Sequence, residues 1–220
     1  MPELNLNEEK LNELRERVKP YLTEARYQHT LSVEKEAAKL GELYLPEKTE
    51  KLRASALLHD ITKRLNTEKQ LQILEKCGIM ADENMILSPS VFHAMTGAII
   101  AAEDFAVFTD EEILSGIRWH TTGCDNMTRF ECIVYLADYI EETRTFDDCV
   151  RLRRDFYDRI DAGDDPETVL DDIMIESFDL TVAGLLRDGV PIAPETVAAR
   201  NSFIVKKRGL TDKSTMGGNQ

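Results

Sequence analysis

Along nearly the whole chain, apolar residues recur at the four-three-four spacing of a helix face, and alternating β-branched runs are nearly absent. That pattern predicts an all-α fold. A short leading helix from Leu4 to Val18 is stopped by Pro20. The next runs from Tyr27 to Tyr44, with Val33, Ala37, Leu40 and Tyr44 on one stripe, and extending that stripe backwards by four residues reaches His29. A third helix from Glu47 to Arg64 places Leu52, Ala56, His59 and Lys63 on one face, and a fourth from Gln70 to Lys76 stops at Cys77-Gly78, a glycine C-cap. Ser88-Pro89 reads as an N-cap and first-turn proline for a helix to Asp104. Helices at Asp110–His120, Arg129–Glu142, Asp147–Arg159 and Pro166–Arg187 follow, and past Arg200 the pattern fades.

The 220 residues suffice for one sizeable core. The expected organisation is an N-terminal helix over 1–20, a core over 21–145, C-terminal helices over 146–205 packed on it, and a disordered tail over 206–220. With 41 acidic against 27 basic residues and a net charge of −14, the surface repels a nucleic-acid backbone, so no nucleic-acid partner is expected. The stretch Asn84–Ala102 carries no charged residue, yet Ser88, Pro89, Ser90, His93 and Thr96 interrupt it, and no membrane span is expected. Cys77, Cys124, Cys132 and Cys149 form no CxxC pair, and the chain opens Met-Pro-Glu without a basic or apolar leader. They read as reduced thiols of a cytoplasmic protein. The acidic group Asp161, Asp164, Asp165, Asp171 and Asp172 fits no EF-hand loop and reads as a solvated face.

The chain has four histidines, His29, His59, His93 and His120, and each falls at or near the inward stripe of a predicted helix. A single histidine on an apolar face serves most often as a hydrogen-bonded core residue. Four so placed, joined by two carboxylates, favour a site. Asp60 directly follows Leu57-Leu58-His59, and Asp138 follows Val134-Tyr135-Leu136-Ala137, so each acid is aimed inward where it needs a cation or donors. A divalent metal supplies that compensation.

The ordered set His29, His59-Asp60, Asp138 resembles the H…HD…D signature of the HD-domain metal-dependent phosphohydrolases. The segments Arg26-Tyr27-Gln28-His29-Thr30, Leu57-Leu58-His59-Asp60-Ile61-Thr62-Lys63, His93-Ala94, His120-Thr121-Thr122-Gly123 and Leu136-Ala137-Asp138-Tyr139-Ile140-Glu141 are similar to the YqeK-like branch of that family. The resemblance extends to Pro194–Asn201 and covers most of 20–205. It implies an HD-domain helical bundle with additional C-terminal helices, and symmetrical hydrolysis of diadenosine tetraphosphate to two ADP. Cys124 stands where the branch commonly has a basic residue, and Glu142 where it commonly has proline.

On this reading His29, His59, Asp60 and Asp138 hold the metal. Imidazole and carboxylate donors without thiolate suit iron, with manganese or another transition metal as the alternative. Asp60 and Lys63 are the candidate catalytic residues. Lys63, four residues after His59 on the predicted helix, and Arg26, three before His29, share faces with ligands and offer phosphate contacts, as does Arg144. His93 and His120 either complete a second metal site or hydrogen-bond phosphate beside one ion, and Thr121 and Thr122 add hydroxyls. The expected partner is a small dinucleoside polyphosphate or nucleotide, and the oligomeric state is left open. The rival readings are another HD-domain nucleotide phosphohydrolase, a catalytically silent nucleotide-binding regulatory module and a di-iron oxygenase.

Overall fold

A computed structural model of the chain describes residues 4–81 and 83–209. Among them eleven α-helices and four short 3-10 turns account for the regular structure, with no strand. The helices are α1 (Glu8–Val18), α2 (Glu24–Tyr44), α3 (Thr49–Leu58), α4 (Thr67–Lys76), α5 (Glu83–Leu87), α6 (Phe92–Asp104), α7 (Glu111–Trp119), α8 (Arg129–Ile140), α9 (Asp147–Asp161), α10 (Pro166–Asp188) and α11 (Pro194–Lys207). Side-chain oxygens start many of them: Asn7, Thr23, Asn66, Asp110 and Asp165 each accept a backbone N–H of the first turn. Thr128 and Glu131 form a reciprocal capping box on α8.

The centre of the bundle is α8. The unbroken run Phe130-Glu131-Cys132-Ile133-Val134-Tyr135-Leu136-Ala137 is buried, as is Ile140, so every side of the helix is covered, as expected of one enclosed on all sides. Helices α2, α3 and α7 pack around it. The closest approach is at Gly116 of α7, where a Cβ would lie 2.6 Å from Ser55 Oγ and 2.9 Å from the Phe130 ring, so any larger residue would push α7 off α3 and α8. Helices α9, α10 and α11 follow the core in sequence, with Leu152, Phe156, Ile173, Phe178 and Phe203 joining the same apolar cluster.

Several expected boundaries move. Helix α3 ends at Leu58 and does not continue to Arg64: beyond it the chain winds through i to i−3 bonds, Ile61 N to Leu58 O, Lys63 N to Asp60 O and Leu65 N to Thr62 O. Thr62 holds this segment down by donating to His93 O at 2.9 Å. Ser88 does not cap α6; its hydroxyl donates to Pro191 O, and a 3-10 turn at Pro89–Val91 precedes the helix. Helix α8 stops at Ile140, before the expected Glu142. Helices α5 and α11 were not anticipated, and α11 carries the chain through Lys206 and Lys207, which pair with Asp171 and Asp172. Residues 210–220 of the expected tail lie outside the described residues. No helix among the described residues is long and apolar enough to cross a membrane.

Candidate metal centre

Three of the four histidines are oriented by one device. His59 Nδ1 donates to Ala56 O at 2.6 Å, His93 Nδ1 to Ser90 O at 2.5 Å, and His120 Nδ1 to Ile117 O at 2.7 Å. Each ring thus spends its N–H on the carbonyl three residues earlier and presents an Nε2 lone pair to the interior. His29 achieves the same through a carboxylate: its Nδ1 meets Glu141 Oε1 at 3.0 Å. All four rings are buried, and neighbouring rings touch edge to face.

The Nε2 atoms converge on two carboxylates. His29 Nε2 lies 3.0 Å from Asp138 Oδ1, and His59 Nε2 lies 3.3 Å from Asp60 Oδ2. On the other side of Asp60, Oδ1 is 3.2 Å from His93 Nε2 and 3.8 Å from His120 Nε2. The tight winding after Leu58 is what turns His59 and Asp60 toward one point. Two ligand groups result, His29 with His59 and Asp138, and His59 with Asp60 and His120, each with donor atoms within 4.8 Å of one another.

The donor chemistry fits a metal. His29 Nε2 and His59 Nε2 are buried and make no aligned hydrogen bond, although carboxylate oxygens stand close by. His93 Nε2 and His120 Nε2 face each other at 2.9 Å, two acceptors once both Nδ1 atoms carry the proton. The lone pairs of His29 and His59, left orphaned at a cost in any purely structural cluster, are satisfied by a cation. Burial, and then the neighbouring charges, hold His120 well below the usual imidazole range, and burial likewise lowers His93, so both are neutral donors. Burial opposes protonation of His29 too, but Asp138 and Glu141 outweigh it and push its pKa up to about 9, a measure of how negative that corner is. Against burial, the adjacent histidines and cations hold Asp60 and Asp138 well below the carboxylate range.

Cations ring this centre. Arg26 Nη1 donates to Asp60 Oδ2 at 2.9 Å, Arg144 Nη2 donates to Asp138 Oδ1 at 2.6 Å, and Lys63 Nζ reaches His93 Nε2 at 3.0 Å. The sequence pattern places Lys63 on the face of an α-helix, whereas it arrives from the consecutive i to i−3 turns that follow α3. Thr121 Oγ1 lies 3.1 Å from His120 Nε2, so it joins the cluster. Thr122 does not: its hydroxyl donates to Gly123 O inside the loop. The two departures from the family pattern lie aside, with Cys124 turned toward Glu131 and Glu142 bound to Lys35 on the surface.

Glu141 is the residue that sequence reading passed over. It caps α8 with an extended ψ of 153°, which swings a fully buried carboxylate back onto His29, while Thr143 N and Oγ1 donate to its oxygens. Against burial, the hydrogen bonds from His29, then Ser32 and Thr143, lower its pKa to about 2. It appeared in the sequence only as one letter of the Leu136–Glu141 segment.

The HD-domain family model matches residues 26–143. The chain belongs to the HD-domain family. Within it, the chain is 34% identical over 192 residues to a protein of Halalkalibacterium halodurans named symmetrical bis(5'-nucleosyl)-tetraphosphatase, covering 87% of this chain and 95% of that one. A Bacillus subtilis protein of the same name is 33% identical over 190 residues, covering 85% and 94%. Among solved structures, a Clostridium acetobutylicum protein described as a predicted HD superfamily hydrolase involved in NAD metabolism superposes with a TM-score of 0.78 at 32% identity, covering 89% and 97%. These relatives bear out the resemblance to the YqeK-like branch and the all-α HD bundle. HD domains work with a divalent metal, and the histidine–aspartate cluster supplies the donors for one.

Proposed function

We propose that this HD-domain protein hydrolyses diadenosine tetraphosphate symmetrically, releasing two ADP. The observation that carries the reading is the convergence of four imidazole Nε2 atoms on Asp60 and Asp138 inside a ring of Arg26, Lys63 and Arg144. His29, His59, Asp60 and Asp138 would hold a divalent transition metal, iron on the softness of its nitrogen donors and manganese otherwise. Asp60 presents its second oxygen to His93 and His120, and these three residues would supply donors for a further ion. When bound, such ions lower the pKa of a coordinated water and so supply hydroxide near neutral pH. Asp60 fixes the donors from both sides, and Lys63, Arg26 and Arg144 carry the positive charge that a polyphosphate needs as negative charge grows on its leaving oxygen. The net charge of −14 leaves this ring as a local exception, matched to a small polyanion and not to a nucleic acid. The four cysteines are free thiols, consistent with work in the cytoplasm.

Water adds across the central bridge: its oxygen bonds to one inner phosphorus, the bridging P–O bond breaks, and ADP leaves on each side. The test is to incubate the iron- or manganese-loaded protein with diadenosine tetraphosphate and separate the products. ADP alone is expected. Equal ATP and AMP would refute the bond assignment, and hydrolysis of a nucleoside monophosphate without any dinucleotide turnover would favour a different HD phosphohydrolase.

A further inference from the structure

An open cleft of about 270 Å³ leads from the surface to His29, walled by Arg26 on one helix and Arg144, Thr145 and Phe146 on the segment after α8. Phe146 is out of place by the rules of folding. It is 69% exposed, so it adds little to the core. It also occupies the N-cap of α9, where it makes no side-chain cap bond and where serine, threonine, aspartate or asparagine would stabilise the helix. The fold therefore gives no reason for a phenylalanine at this position, while the cleft does: a flat apolar surface stands beside two guanidinium groups that reach the carboxylates of the centre. A ligand matching both needs an anionic chain joined to a flat ring.

We propose that Phe146 is the stacking platform for the nucleobase of the bound nucleotide, with Arg26 and Arg144 taking the phosphates between that base and the metal centre. The proposal rests on the nucleotide-hydrolase reading above and adds where one base sits. Aromatic stacking tolerates either purine face and gives affinity without demanding base-edge hydrogen bonds. Thr145, in the same wall, offers a hydroxyl suited to a ribose.

The test uses Phe146→Ser and Phe146→Trp in the manganese-loaded full chain, titrated calorimetrically with ADP and, separately, with pyrophosphate. Serine supplies the missing cap, so the thermal midpoint should hold or rise while ADP affinity falls about tenfold and pyrophosphate affinity stays unchanged. Tryptophan should keep ADP affinity. Equal weakening of both ligands, no change in either, or a wild-type protein that holds ADP no more tightly than pyrophosphate would overturn the platform. A wild-type protein that binds ADP through Phe146 but fails to split the dinucleotide would refute the proposed reaction and leave the platform standing.

Discussion

Two clusters of buried charge sit on opposite parts of helix α2, and they are built on opposite principles. Toward the N-terminal end of the bundle, Arg15 of α1 clasps Glu34 of α2 with two bonds, Nε to Oε2 at 2.8 Å and Nη2 to Oε1 at 2.5 Å. Arg53 of α3 adds a bond to Glu34, and both arginines bind Glu8. Each acceptor meets a donor and the group is closed, pinning α1 onto α2 and α3 around Leu11, Leu14 and Val18. The metal centre also has acids and bases within hydrogen-bond range, but two of its imidazole nitrogens are orphaned and two others face each other. A closed network stabilises a fold, whereas lone pairs held inward by backbone carbonyls await a ligand. Removing one member of each kind should therefore have unlike consequences.

The largest effect is expected at the open cluster. His59→Ala removes the donor that both ligand groups share and Asp60→Ala the carboxylate on which the histidines converge, so in either variant activity should vanish and metal content, by elemental analysis, should fall while the helical circular dichroism persists. Full metal occupancy in both variants would place the ion elsewhere. His93→Ala and His120→Ala divide the remaining question: a lowered metal-to-protein ratio supports the second ion, and an unchanged ratio with slower catalysis assigns them to phosphate.

One step outward, Glu141→Gln leaves the shape of the side chain but weakens its grip on His29 Nδ1. Outer partners of this kind are worth about 10- to 100-fold in metal affinity or activity. A metal titration that matches wild type would show that His29 needs no carboxylate behind it.

Glu141 also marks how far the sequence can be read. His29, His93 and Asp138 were legible from their inward phase on predicted helices, while His59, Asp60 and His120, just past the ends of α3 and α7, were legible from the scarcity of histidine, the adjacent His-Asp pair and the family pattern, and the structure brings all six together. Helix phase says nothing about a residue beyond the helix end. Glu141 reaches His29 because α8 stops at Ile140 and the backbone turns extended, and Lys63 reaches His93 because α3 gives way to a run of i to i−3 turns held by Thr62. Both events depend on tertiary partners far along the chain. Thr122 is the converse case, a hydroxyl beside the right histidine that the loop spends on Gly123. Phe146 gave no periodic signal, since its position matters only for the cleft it edges.

The closed cluster should respond in stability alone. Glu34→Gln leaves Arg15 and Arg53 without their buried carboxylate, and a cost of about 2–3 kcal/mol is expected in denaturant unfolding. Metal content and kcat/KM of the folded protein should match wild type. A loss of activity at full folding would mean that α1 acts on the centre through α2, and the contrast between the two clusters would fail.

The smallest effect, and the one that resolves the closed cluster further, concerns acid. Arg53 and then Arg15 hold the Glu8 carboxylate down from 4.5 to about 2. Because the folded pKa lies below the unfolded one, the unfolded chain takes up the proton first as pH falls. The stabilisation from Glu8 is therefore complete above about 4.5 and is lost as pH drops toward 2. Its side chain is 58% exposed, so water and salt screen the pair and the contribution is modest. Glu8→Gln should unfold at slightly lower denaturant than wild type at neutral pH, the gap should close steadily through that acid window, and high salt should narrow it at any pH. A gap independent of pH would mean that Glu8 acts through packing and helix-end contacts, leaving Glu34 as the sole charge that closes the network.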